Sequence, residues 1–325
     1  MKELVVISGK GGTGKTSVSA SLAALARRPV VADCDVDAAD LHLVLAPTVL
    51  ERHEFRAGHE AVIRPEACNG CGVCFSVCRF GAVLPVSESS AGDEKQCRDC
   101  SYCVRSCSVR TNAVISELQG AAGAEKPSFW IDPTACEGCG VCVRFCPERA
   151  IDFPERICGE WMISRTRFGP MVHARLAAAA ENSGKLVSTV RKEARRIAEE
   201  EGRDLILVDG PPGIGCPVIA SVTGASIVLV VTEPTVSGQH DLERVLKLAK
   251  HFQIPAFVCV NKWDVNPEMA ERIERTSILA GAAIAGRIRY DPGVTRAMIQ
   301  EKAVVETEAP SAEDFRGVWE RIGLS

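Results

Sequence analysis

Short unbroken apolar runs alternate along this chain with longer stretches whose apolar residues recur every three or four positions. The runs at 4–7, 30–33, 205–208, 227–231, 256–260 and 283–288 are rich in Val, Ile and Leu and have the length of strands buried on both faces. Helical patterns lie between them, over 17–26, 185–201, 241–252, 267–279 and 294–301. The second is the clearest, with Leu186, Val190, Ala194, Ile197 and Ala198 on one face and Gly202 as its stop. Strands alternating with helices predict a parallel sheet covered on both sides. From about residue 60 to 154 the pattern breaks into cysteine runs, Pro/Gly turns and short Val/Ile pieces, and then the alternation resumes. This predicts an α/β domain over 1–59 and 156–325, interrupted by a small α+β module over 60–155. A hairpin at 165–176 would return the chain to the sheet.

The interrupted stretch repeats itself. Pro65-Glu66-Ala67-Cys68 and its cysteine run mirror Pro133-Thr134-Ala135-Cys136 and its own, and a run of the same spacing lies between. Of 16 cysteines, twelve fall in these three runs. Met1-Lys2-Glu3 leads straight into the first strand, so no export signal is read and a cytoplasmic chain with reduced thiols is expected. Clustered cysteines there mean metal ligation rather than disulfides. Residues 60–155 hold thirteen acids against nine bases, which accounts for the whole net charge of −4. A surface without a basic patch excludes nucleic acid as the expected partner. No apolar run reaches spanning length, and the tail over 311–325 lacks the pattern of a membrane-surface helix, so no membrane anchor is expected.

Two motifs carry chemistry. Gly9-Lys10-Gly11-Gly12-Thr13-Gly14-Lys15-Thr16 satisfies GxxxxGK(S/T) between a strand and a helix, the context in which backbone N–H groups cradle phosphate. Lys15 would neutralise the β and γ phosphates, Thr16 would ligate Mg2+, and Ser17 continues the nucleotide-binding segment. Cys68, Cys71, Cys74 and Cys78, and again Cys136, Cys139, Cys142 and Cys146 followed by Pro147, have the bacterial ferredoxin spacing. That spacing wraps three thiolates around one 4Fe–4S cubane and sends the fourth to the other. Zinc sites use separated ligand pairs, so the outer runs predict two clusters. The middle run, Cys97, Cys100, Cys103 and Cys107, has the same spacing without the Gly after its second cysteine or a Pro after its last. It is assigned a third cluster with the outer runs paired to each other; zinc, an empty site, and pairing of this run with the first, from which its separation is also ferredoxin-like, stay open as alternatives. Cys34, Cys158, Cys216 and Cys259 are expected to be small buried hydrophobes.

With its second lysine, Lys10, the glycine loop resembles the deviant Walker A sequence of the MinD/ParA/nitrogenase iron protein group. The whole chain resembles MinD-superfamily ATPases with an inserted ferredoxin domain. Residues 181–187, 213–218 and 232–235 add to the likeness. The resemblance implies a P-loop NTPase fold, ATP and Mg2+ as ligands, and catalytic roles for Lys10, Lys15, Asp35 and Asp209. Lys10 would reach across a dimer interface, with a second copy or a similar ATPase as the other half. Asp35 would position the attacking water, Asp33 would lie near the Mg2+ shell, and Asp209 would be the Walker B acid. Only the resemblance keeps a metal contact as an alternative for Cys216, seven residues beyond Asp209. Asn261 would contact the base. Asn261-Lys262-Trp263-Asp264 also fits the guanine-reading NKxD motif, which keeps a GTPase as an alternative in which Asp264 binds the base. Three functions are compatible with this reading: an ATP-gated electron carrier serving an oxidoreductase or metalloprotein partner, a cluster-assembly ATPase, and a redox-sensing positioning switch.

Overall fold

The apolar runs become strands of one nine-stranded sheet. Among the described residues the strands in chain order are β1 (Lys2–Ser8), β2 (Val30–Asp33), β3 (Thr48–His59), β4 (Val62–Ile63), β5 (Val83–Val86), β6 (Ser128–Ile131), β7 (Ile151–Asp152), β8 (Glu155–Arg165), β9 (Pro170–Leu176), β10 (Leu205–Pro212), β11 (Ile227–Thr232), β12 (Ala256–Asn261) and β13 (Ala283–Ile288). The sheet runs β13-β12-β11-β1-β10-β2-β9-β8-β3. Neighbours from β13 to β9 are parallel, and β8 turns back antiparallel on β9. This computed structural model describes residues 1–86, 128–177, 180 and 183–324. The middle cysteine run lies outside the described residues. Packing divides the chain into two units, Met1–Phe55 with Gly159–Ser325, and Arg56–Cys158.

In the first unit the central strands are fully buried because helices cover both faces. On one face the helices Lys15–Leu25 and Ala312–Ile322 bury Val18, Leu22, Phe315, Val318 and Trp319 against Leu4, Val6, Val31 and Leu207. The helix Ser183–Glu200 presents Leu186, Val190, Ala194 and Ile197 at helical spacing and packs beside β9, β2 and β10. Arg191 of this helix is buried with Glu3 and donates from Nη1 to the carbonyls of Ala220 and Thr223. It thereby satisfies groups left open where the helix Cys216–Val222 ends.

Three features differ from the sequence expectation. β10 runs on to Pro212, because Ser8 of β1 still pairs with Pro212 across an irregularity in register. Asp209 therefore sits inside a strand rather than after one. The helix expected from 241 begins at Val236, where Thr235 caps it by accepting the Gly238 N–H at 3.0 Å. The sheet also gains β3, whose mostly exposed and half-buried residues carry no continuous apolar run, and a long β8 that begins well ahead of the hairpin expected over 165–176.

The second unit is small and repeats internally. β4 pairs with β7 and β5 with β6, both antiparallel. Two short helices, Val73–Val77 and Val141–Phe145, pack on each other. Each starts behind a glycine in the left-handed region, Gly72 at φ 73° and Gly140 at φ 71°, a conformation glycine adopts at no steric cost. Ala61, Cys74, Ala82, Val83, Ile131, Cys142 and Ile151 form the unit's core. Among the described residues no helix is long and apolar enough to cross a membrane.

Candidate functional site

In the first unit Lys15, Asp33, Asp35 and Asp209 converge beside the glycine loop. Gly14, at φ 86°, caps the helix that begins at Lys15. The Lys15 side chain is 6% exposed and its Nζ stands 3.0 Å from Asp209 Oδ1 and 3.1 Å from Asp35 Oδ2. Thr16 Oγ1 donates to Asp209 Oδ2 at 3.0 Å, and Ser19, which the sequence did not single out, donates to Asp209 Oδ1 at 2.7 Å. Asp33 Oδ1 accepts the Asp35 N–H, while Asp33 Oδ2 is buried without a hydrogen-bond partner. The sheet itself brings these acids together, since Asp209 pairs in register with Asp33 and also with Val6 of β1, directly below the glycine loop.

The electrostatics follow from this burial. Burial alone would lower Lys15, but the carboxylates of Asp209, Asp35 and Asp33 carry it above its ordinary value. Burial, reinforced by Asp209 and opposed by Lys15, pushes Asp33 well above the usual carboxylate range. Asp35 is raised by burial too, against the pull of Lys15. A buried carboxylate with an open oxygen favours binding of a further cation.

The remaining predicted residues distribute around this centre. Asn261, at the end of β12, donates from Nδ2 to Thr13 O at 2.8 Å and accepts the Lys262 N–H at Oδ1. It ties β12 to the glycine loop, and a Cβ on Gly14 would collide with its amide. Gly14→Ala meets that collision and the left-handed backbone together. It should cost about 2 kcal/mol of stability and weaken nucleotide binding, read by thermal melting and nucleotide titration. A variant equal to the parent in both would show that the loop tolerates the change. Gly9 approaches Asp241 just as closely, whereas Gly11 and Gly12 face open space. The Ser17 hydroxyl donates to Met298 Sδ at 3.6 Å, away from the acids. Asp264 is exposed, and its Oδ1 accepts the Tyr290 N–H at 2.7 Å.

Lys10 has partners within its own chain. Its Nζ lies 3.6 Å from Glu233 Oε2, 3.4 Å from Thr235 Oγ1 and 3.2 Å from Ser237 Oγ. Glu233 also holds Lys262. The stretch over 232–235 stood out in the sequence only as a likeness. Its use as a seat for Lys10 had no local signal.

In the second unit the eight described cysteines of the two outer runs line two recesses. Cys68, Cys71 and Cys74 share the first, of about 320 Å3 including its open mouth, with Cys146. Cys136, Cys139 and Cys142 share the second, of about 290 Å3, with Cys78. Each recess thus takes three thiols from one run and the fourth from the other. Their electrostatics agree: burial raises Cys74, with Cys68 and Cys71 adding to the shift, and burial pushes Cys142 up to about 11, helped by Cys136, Cys139 and Cys78. Burial would raise Cys78 as well, but backbone N–H groups of Phe80, Ala82, Val83 and Gly81 outweigh it and bring the thiol below its ordinary value. At the matching place in the other half, Ala150 N donates to Cys146 Sγ at 3.3 Å. All twelve described cysteines are free thiols. Among the described residues no three His, Cys, Asp or Glu side chains form a group that could hold a single metal ion. Of the remaining cysteines, Cys34, Cys158 and Cys259 are buried as expected, but Cys216 is exposed. It opens the helix that follows Asp209–Gly215.

Residues 4–304 match the family described as the CobQ/CobB/MinD/ParA nucleotide binding domain. The chain belongs to that family. An uncharacterized protein of Methanocaldococcus jannaschii is 29% identical over 268 residues, 81% of this chain and 79% of that one. Among solved structures, the cell division ATPase MinD of Pyrococcus furiosus covers 99% of this chain and 98% of its own, at 17% identity and a TM-score of 0.51. The septum site-determining protein MinD of Pyrococcus horikoshii, complexed with Mg-ADP, covers 99% and 96% at 16% identity and a TM-score of 0.52. At such identities these likenesses show the fold: the first unit is a MinD/ParA-like P-loop nucleotide-binding fold with a largely parallel sheet.

Proposed function

We propose that this protein is a cytoplasmic MinD-like ATPase that carries 4Fe–4S clusters and couples its nucleotide state to electron transfer with a partner protein. The observation that carries the cluster half of this reading is the crossed distribution of cysteines, three from one run and one from the other in each recess. That is the ligand exchange the ferredoxin spacing calls for. The donor set fits cubanes in a second way, because backbone N–H groups are aimed at Cys78 and Cys146, where thiolates would need them. Cys68, Cys71, Cys74 and Cys146 would hold one cluster and Cys136, Cys139, Cys142 and Cys78 the other. Cys97, Cys100, Cys103 and Cys107 are assigned a third. When bound, the clusters supply one-electron redox chemistry.

In the nucleotide-binding unit the chain's own residues would carry ATP hydrolysis. Lys15, held by Asp209 and Asp35 without nucleotide, would turn to the phosphates and neutralise charge on the transferred group. Thr16, Asp33 and Asp209 would hold Mg2+, and the open oxygen of Asp33 supports that assignment. Asp35 would orient the attacking water. Asn261 braces the glycine loop and would contact the base from there, while Asp264 already spends one oxygen on Tyr290. Adenine is therefore favoured over guanine. Lys10, seated on Glu233 here, would be released toward the nucleotide of a second copy on dimerisation.

The test uses the full chain prepared without oxygen. Iron and sulfide should reach about eight per chain for two cubanes or about twelve for three, and ATP should be hydrolysed in preference to GTP. Reduction rate and potential of the clusters should differ between ADP and a non-hydrolysable ATP analogue. Identical values in both states would overturn the coupling, and an iron-free active hydrolase would overturn the cluster assignment.

A further inference from the structure

Two strands connect the nucleotide-binding unit to the cysteine unit: the chain leaves along β3 and returns along β8, and the two are neighbours in the sheet. Within the nucleotide-binding unit both lead back to the acids. After Asp33–Asp37 comes the five-residue helix Leu41–Leu45, whose Leu41, Val44 and Leu45 are buried in the core that also holds Val18 and Leu22 of the helix starting at Lys15. Ala46 then turns the chain at φ 44°, and β3 starts at Thr48. On the return side, β8 turns into β9, which lies in register with β2 and pairs His173 with Asp33. Leu176 N continues the ladder to Val36 O.

One side chain joins these two routes. Arg167, in the turn between β8 and β9, donates from Nη1 to Leu45 O at 3.1 Å and from Nη2 to Val44 O at 3.2 Å. Those carbonyls end a helix too short to satisfy them internally. The same guanidinium grips Glu306 through Nε at 2.9 Å and Nη2 at 2.6 Å, and lies 4.5 Å over the Phe168 ring. Four of its five N–H donors are thus committed in one plane, which only arginine can supply. The turn that presents it is rigid as well. Thr166 Oγ1 accepts from Phe168 N and Gly169 N and donates to Gly169 O, and Gly169 leaves no room for a Cβ against Pro29 O.

We propose that Arg167 is the positioning residue through which nucleotide state reaches the cysteine unit. It fastens the helix behind Asp33–Asp37 to the β8–β9 turn, so that a shift of the acid loop moves the departing and the returning strand together. This rests on the proposed reading that the two halves communicate, and it adds the route. The hydrogen bonds of Arg167 go to Val44, Leu45 and Glu306, none of them in the glycine loop, so its loss should leave nucleotide affinity in place. A residue that only capped a helix would change stability alone.

The experiment is hydrogen–deuterium exchange on the full chain prepared without oxygen, with and without Mg2+ and a non-hydrolysable ATP analogue. In the parent, exchange over Leu41–Leu45, Thr48–His59 and Glu155–Arg165 should respond to the analogue. In Arg167→Gln the response of the two strands should fall by about threefold or more, with analogue affinity within about twofold of the parent. Glu306→Gln keeps the arginine but loosens its seat, and should lose part of the response. It serves also if Arg167→Gln melts early. A parent whose strands ignore the analogue would overturn the communication itself. A responsive parent, with Arg167→Gln and Glu306→Gln equally responsive, would overturn only the role of Arg167.

Discussion

Replacing Lys15 with methionine should reduce ATP hydrolysis by about a thousandfold and also destabilise the nucleotide-free chain by about 3 kcal/mol near neutral pH. The first effect follows from the ammonium's place in the phosphate loop. The second follows from what surrounds it: Asp209 and Asp35 within 3.1 Å, and Asp33 close enough to raise its affinity for protons. Removing the only cation of this buried cluster that the described contacts record leaves carboxylates without compensation. The sign of the pH dependence is fixed by the acids. Asp33 and Asp35 titrate above their unfolded values, so the folded chain binds more protons than the unfolded one from the ordinary carboxylate range upward. Stability from this site is therefore lost as pH rises and recovered as it falls. Lys15→Met should steepen that trend, so its deficit should shrink toward acid pH. Urea unfolding of both proteins across pH 5 to 8 measures it (~ two pH points suffice). A variant whose deficit is constant with pH, or which hydrolyses ATP at the parental rate, would contradict the geometry.

Paired cysteine substitutions should produce the other large effect. If each recess is one ligand set, Cys68→Ala with Cys146→Ala should cost about four irons, no more than either alone, because both residues serve the same site. Cys136→Ala with Cys146→Ala should cost about eight, although these two lie in one run. Cys78→Ala should share its spectroscopic loss with Cys136→Ala rather than with Cys68→Ala. Iron and sulfide counts with EPR of reduced samples decide it. Ligation kept within each run predicts the reverse pattern of double variants.

Much of this site lies in short segments and could be read in order. The glycine loop is contiguous, its strand and helix flank it, and its chemistry depends on backbone turned inward by glycines at fixed offsets. Cys68–Cys78 and Cys136–Cys146 are contiguous too, and their repetition signals a duplicated unit whose helices do start behind equivalent glycines. What could not be read there were partners distant in the chain. Glu233 seats Lys10, Ser19 supports Asp209, and Arg167 grips Glu306, none with a pattern that local periodicity would register. The five-residue helix Leu41–Leu45 is shorter than two turns, too short for a period to show. β3 alternates between exposed and half-buried residues for most of its length, so no apolar run marks it.

The amino-acid sequence by itself determined the phosphate loop, the buried strands and the cysteine units, because each is specified by residues a few positions apart whose steric and hydrogen-bonding needs are met locally. Only the tertiary structure decided that Ser19 supports Asp209, that Glu233 seats Lys10 and which arginine joins the two chain connections. Those choices depend on strand order and register, which bring together residues that local chain statistics treat as independent.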